Sequence, residues 1–180
     1  MKNIFLRIIG TAALATLMVA AFAQISVSAQ DINNDEKGGK QTQEDSLNRL
    51  SNARRLEGVW NIQVTRINCQ TGAVIANFPA MHVYRHGGTM DDFGAQNSPS
   101  LRGPGYGIWN YESNRHYKLS FQFFRFNADG TLAGRNVARQ ENELSQDGNN
   151  FTQTSVAQAF DVNGNVIGTN CAVATGVRFE

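Results

Sequence analysis

Two cysteines, three histidines and a cluster of aromatic residues are the side chains in this 180-residue sequence whose chemistry could reach beyond folding. The aromatics gather in "YGIWNY" and "HYKLSFQFFRF". On extended chain, alternate residues share a face, so Trp109 and Tyr111 go together, as do Tyr117, Leu119, Phe121 and Phe123. Where such faces converge they line a cavity for one small hydrophobic or amphipathic molecule; the competing expectation is that they fill a core. Tyr84 and Gln140 are the candidate polar contacts. The inward face of the strand that carries Gln140 also holds Gly134, Asn136 and Ala138, opposite a charged face of Arg135, Arg139, Glu141 and Glu143. A dry core seldom takes two amides without partners, which favours a cavity.

The histidines do not make a metal site. His82 and His86 flank Tyr84 in "HVYRHGG". Four residues along a strand separate them by about 13 Å, too far to share an ion bound at roughly 2 Å. His116 could join only one of them, so neither metal nor cofactor is expected. "DDFG" at 91–94 has no kinase context, and "DVNGN" at 161–165 has Val166 where a calcium loop needs glycine. "NFT" at 150–152 fits a glycosylation acceptor and matters only in a eukaryotic secretory pathway. No Gly-x-Ser-x-Gly occurs. With no catalytic constellation, the expectation is a binding protein and not an enzyme.

The elements that position these residues begin with the compartment. "MKNIFLRIIGTAALATLMVAAFAQISVSAQ" has a short basic start (Lys2, Arg7), an apolar run and small-residue cleavage sites, the pattern of a secretory signal peptide ending at Ala29. A retained anchor is the alternative. Removing Lys2 and Arg7 from 16 basic residues leaves 14 against 15 acidic ones, a formal charge of −1. That balance gives no electrostatic case for nucleic acid, and no membrane insertion is expected after cleavage. The expected location is the periplasm or the extracellular space. The two cysteines of an exported chain pair first as a disulfide, Cys69 with Cys171.

Residues 30–44, "QDINNDEKGGKQTQE", are polar and are expected to be a disordered leader. "SLNRLSNARRL" spaces Leu47, Leu50 and Leu56 for one short amphipathic helix that caps a single domain spanning 45–180. From Gly58 on, β-branched and aromatic runs alternate with "QTG", "HGG", "NADG", "SQDGNN" and "DVNGN". These predict strands at 58–69, 79–86, 89–95, 105–112, 116–127, 131–144, 151–161 and 165–179. The fold class is therefore all-β: an eight-stranded antiparallel up-and-down barrel with a short N-terminal helix, closed because closure removes exposed edges. The one long connection, 94–105, is a candidate lid. Closure sets the first strand beside the last and brings Cys69 against Cys171. One bulge near Thr65–Arg66 then pairs Ile62 with Val177 and Trp60 with Phe179. A second bulge is expected at Phe123–Phe124, where the pattern of the fifth strand changes phase.

"LEGVW", with Gly58-x-Trp60 opening the first strand behind a helical turn, resembles the Gly-x-Trp signature of lipocalins and the wider calycin group. The "NCQTG" and "GVRFE" ends also resemble those of uncharacterised bacterial secreted proteins. The lipocalin resemblance implies an eight-stranded barrel with a cavity, a floor made by Trp60, and an arginine of the last strand, Arg178, packed over it. The register just drawn turns Arg178 to the other face. The family's motif between the sixth and seventh strands has no counterpart in "ENELSQDGNNFT". The function expected is a lipocalin-like binder of a small molecule. The runner-up is a filled barrel that serves as a protein-interaction or inhibitor module, its partner unnamed.

Overall fold

The computed structural model describes residues 36–180, with side chains from residue 43 onward. The stretch expected to be a signal peptide and the first part of the expected leader lie outside the described residues. Helix α1 (Glu36–Arg54) starts inside the stretch expected to be a leader. Eight strands follow: β1 (Gly58–Ile67), β2 (Val74–Tyr84), β3 (Thr89–Gly94), β4 (Gly105–Ser113), β5 (His116–Phe126), β6 (Leu132–Leu144), β7 (Asn150–Phe160) and β8 (Val166–Arg178). Each pairs antiparallel with the next, and β8 pairs with β1 to close the barrel. The all-β, up-and-down architecture is the one expected from the alternation of the sequence.

That alternation explains the strands. On β1, Trp60 and Ile62 are buried while Val59, Asn61 and Gln63 face out. On β6, Gly134, Ala138, Gln140, Asn142 and Leu144 point inward, and the charged residues between them are exposed. The turns use side-chain acceptors to satisfy the backbone. Asp161 Oδ1 accepts from the amides of Asn163 and Asn165 at 2.9 and 2.8 Å, so "DVNGN" is a hairpin turn.

Several expectations need correction. Of Leu47, Leu50 and Leu56, only Leu56 is buried; the first two are more than half exposed. The apolar stripe is thus a single plug, not a packed helix face. β1 ends at Ile67 because Asn68 folds the chain, accepting from the amides of Gln70 and Thr71 at 2.8 and 3.0 Å. β2 consequently starts at Val74, earlier than expected. Cys69 therefore sits in a turn, and Cys171 lies opposite Ile67. The disulfide does form, spanning 102 residues at a Cα separation of 5.1 Å, but diagonally.

The β1–β8 register runs without a bulge, with Ile62 opposite Gly176 and Trp60 opposite Arg178. The irregularity near Arg66 lies on the β2 side, between Arg66 and Ile67. The irregularity of β5 falls between Arg125 and Phe126, not at Phe123–Phe124.

Candidate functional site

The two ends of the barrel differ. At the end where β1 starts, Leu56, Trp60, Tyr84, Met90, Trp109, Tyr117, Leu144 and Phe151 form a buried cluster. Trp60 Nε1 donates to Leu56 O at 2.9 Å, and the Trp60 and Phe151 rings lie 4.8 Å apart. The Arg178 guanidinium stacks 4.4 Å from the Trp60 ring centre. Its nitrogens donate to the carbonyls of Glu57 (2.7 Å), Gly148 (2.9 Å) and Arg55. This geometry also explains the glycine of Gly58-x-Trp60. Gly58 has φ +127°, and a Cβ there would stand 2.8 Å from Arg178 Nη1. Tyr117 OH donates to Asn52 O at 2.6 Å and ties α1 to the barrel; burial pushes that phenol up to about 12.

At the other end the inward positions are small or polar, and they enclose a cavity of about 290 Å³. One wall is aromatic, with Phe78, Phe121 and Phe123, and another is built of Ala138, Ala157, Ala159 and Ala172. The Phe121 and Phe123 rings stack 6.3 Å apart. Gly105 and Gly107 leave room for Phe121, since a Cβ at Gly107 would lie 2.5 Å from Phe121 Cβ. A wider depression of about 710 Å³ lies on the outside of the sheet, among outward-facing residues such as Ile108, Lys118, Arg139 and Val156. Its lining is mostly exposed side chains of the outer face, so the interior cavity, with the buried His82, Asp92, Arg102, Gln140 and Gln153, is the better candidate.

The cavity floor is a polar chain. Arg102 Nη2 donates to both Asp92 oxygens, at 2.8 and 3.1 Å, and both residues are buried. Asp92 Oδ1 stands 3.7 Å from His82 Nε2. His82 Nδ1 lies 2.8 Å from Tyr84 OH, which accepts from Asn142 Nδ2 at 3.2 Å. With that bond from Asn142, the phenol proton goes to His82 Nδ1, and the imidazole turns its Nε2–H toward Asp92. Burial lowers the His82 pKa, against the opposing pull of Asp92 and with help from Arg102. The one lone pair of the neutral ring, on Nδ1, is taken by the Tyr84 hydroxyl, which leaves none to serve as a base on a ligand. Arg102 also packs 3.9 Å over the Phe123 ring. It comes from the β3–β4 connection, which is hydrogen-bonded alongside the end of β5. Phe126 N donates to Leu101 O and Gly103 N to Phe124 O, both at 3.0 Å.

Six buried side-chain atoms have no hydrogen-bond partner among the described residues: Arg66 Nε, Arg125 Nε, Asn136 Oδ1, Gln140 Oε1, Asn142 Oδ1 and Gln153 Oε1. All but Asn142 belong to residues that line the cavity. Of the candidate ligand contacts, Phe121, Phe123 and Gln140 lie on its wall. Trp109, Tyr111 and Tyr84 lie in the packed half below. Trp109 Nε1 donates to Arg85 O and Thr89 O at 3.2 and 3.0 Å, and Tyr111 packs 5.4 Å from Tyr117. Sequence reasoning missed Asp92 and Arg102 and weighed His82 only as a metal ligand. Their one signal was a carboxylate at Asp92 on the face shared by buried Met90 and Gly94. Among the described residues, no group of three or more His, Cys, Asp or Glu could hold a metal ion.

A closed eight-stranded antiparallel barrel, floored by a tryptophan under an arginine and hollow at the far end, is consistent with a lipocalin-like fold. No protein-family model and no curated protein matches the chain. Among the described residues no helix is long and apolar enough to cross a membrane, and the disulfide fits an exported protein.

Proposed function

We propose that the protein is an exported lipocalin-like barrel that holds one small amphipathic molecule in its open half. The observation that carries this is a cavity whose lining includes Asn136, Gln140 and Gln153, each with a buried carbonyl oxygen that has no hydrogen-bond partner among the described residues. Gln140 and Gln153 are 6% and 4% exposed, too buried for bulk water to serve them. Unmet polar atoms at such depth cost about 1–3 kcal/mol each. A guest with apolar surface toward Phe78, Phe121 and Phe123 and hydrogen-bond donors toward the amides meets both walls. The volume sits at the lower end of small-molecule sites, so the guest is compact.

Native mass spectrometry of protein purified from its own host's exported fraction tests the reading. A small mass carried by the native protein and lost on denaturation is the expected result, and it delivers the molecule for identification. The interaction-module reading draws on exposed Met81, Phe93 and Val177, which are linked across β8, β1, β2 and β3 by their register. It becomes the better reading when the native protein carries no adduct and binds no hydrophobic fluorophore.

A further inference from the structure

We infer that the guest is a small organic anion whose acidic group is gripped by Arg66 and Arg125 at the cavity mouth; this rests on the binding reading above. The two arginines occupy inward-facing positions one residue before the ends of β1 and β5. In a ring of eight strands β1 and β5 stand opposite each other, so the guanidiniums enter the mouth from its two sides. The Nε of each is buried and without a partner among the described residues. Arg125 Nη2 donates to Phe160 O at 2.9 Å, which fixes its plane and leaves its charge unmet.

The charge balance of the lining is lopsided. Among the described residues three arginines face the cavity, and Asp92 is the one carboxylate on its wall. Arg102 already holds both Asp92 oxygens. The carboxylates in the turns at this end are committed locally, Asp129 to Thr131 and Asp161 to Asn163 and Asn165. Arg66 and Arg125 thus bring two part-buried guanidinium charges to the mouth. An anion inside neutralises them, and the planar fork suits the paired oxygens of a carboxylate, with phosphate and sulfonate as close substitutes. The apolar body then lies along Phe121 and Phe123, with its donors toward Gln140 and Gln153.

A matched pair of fluorescent probes separates the charge from the cavity. 8-Anilinonaphthalene-1-sulfonate carries a sulfonate, and N-phenyl-1-naphthylamine has the same ring system without it. On the disulfide-bonded mature chain the anionic probe is expected to bind at least tenfold tighter. Arg66→Gln or Arg125→Gln should each weaken the anionic probe about tenfold, equivalent to ~1.4 kcal/mol, and leave the neutral probe's Kd unchanged. Arg66→Lys should recover part of the loss, and Ala157→Phe, which fills the cavity, should abolish both signals.

Equal affinities for the two probes, untouched by the arginine substitutions yet lost in Ala157→Phe, would overturn the anion inference and leave the binding reading intact. Anionic-probe fluorescence that survives Ala157→Phe lies on the outer surface and also overturns it. Failure of both probes on the wild-type chain removes the binding reading and this inference together.

Discussion

Around Trp60 the barrel interior is aromatic and closed, with Tyr84, Trp109, Tyr117 and Phe151 interlocked by ring contacts and capped by Leu56. Toward the far end the inward positions of the same strands carry alanine, glycine, asparagine, glutamine and arginine. The two halves are held by different means. Packing and the Arg178 clamp hold the closed half. The open half relies on a covalent bond between Cys69 and Cys171 and on the buried Arg102–Asp92 pair. A fold that keeps a cavity forgoes the burial that would otherwise stabilise that region, and local fastenings stand in for it.

The largest test of this division removes the bond. The Cys69→Ala/Cys171→Ala variant should lose around 4–5 kcal/mol in the chain-entropy account for a loop of this length, read from denaturant titration. Hydrogen exchange should rise mainly in the β1–β2 and β7–β8 turns, while the strand ends around Trp60 keep their protection. Uniform loss of protection through both halves would show that the barrel is one cooperative unit, and the contrast would fail.

The converse experiment strikes the floor. Trp60→Ala removes a fully buried ring and, with it, the surface on which Arg178 lies. The expected cost is about 3–5 kcal/mol. Because the cavity lies beyond the His82–Tyr84 layer, the remaining folded molecules should bind an anionic fluorophore with near-wild-type affinity. A matching collapse of affinity would mean that the floor sets the shape of the open half.

A single strand permits a finer comparison with one chemical change. Gly176 and Gly168 both point inward from β8, near opposite ends. A Cβ at Gly176 would come within 2.3–2.4 Å of the Phe151 ring, whereas at Gly168 it would meet nothing within 4 Å. Gly176→Ala should cost about 1–3 kcal/mol through overpacking. Gly168→Ala should be neutral or stabilising by up to ~1 kcal/mol, since it only restricts the unfolded chain. Melting curves of the two variants decide it, and equal effects would deny any difference in packing.

How much of this was legible in the sequence varies with the distance over which the signal acts. Strand order and closure follow from alternation and turn residues, which are local, and from the general cost of open edges. The register of the seam was displaced because Cys69 was counted as the end of a strand. The Asn68 side chain turns the chain so that β1 ends two residues earlier, the cysteines meet diagonally and Arg178 lies opposite Trp60. The resemblance to the Gly-x-Trp signature implied that stacking where the pairing argument did not. Period-two patterning shows that Trp109 and Phe121 both face inward but not how deep each lies. Depth depends on the stagger between strands, and it puts Phe121 on the cavity and Trp109 beneath it. Arg102 comes from a connection with no periodicity, so only the folded chain brings it to Asp92.

The smallest effect concerns the layer between the halves. His82 faces Tyr84, Asp92 and Arg102, with Asn142 behind the phenol. Its pKa is lowered from 6.5, chiefly by burial, and burial raises that of Tyr84, so both rings are neutral in the native state near pH 7. Above pH 6.5 the imidazole is neutral in both folded and unfolded chains and contributes no slope. As the pH falls below that value the unfolded chain takes up a proton that the folded one refuses. Stability therefore declines on acidification by at most ~1.4 kcal/mol per pH unit, until the folded-state pKa is passed. Three turn aspartates, Asp129, Asp147 and Asp161, have pKa values lowered from 3.8 by hydrogen bonds in their own turns. Their stabilisation is lost only as the pH falls below that range, which keeps these three aspartates out of the window between about pH 5 and 7. His82→Gln should flatten the denaturation free energy across this window. A slope that persists in the variant would assign the acid sensitivity to another group and leave the polar layer as a passive floor.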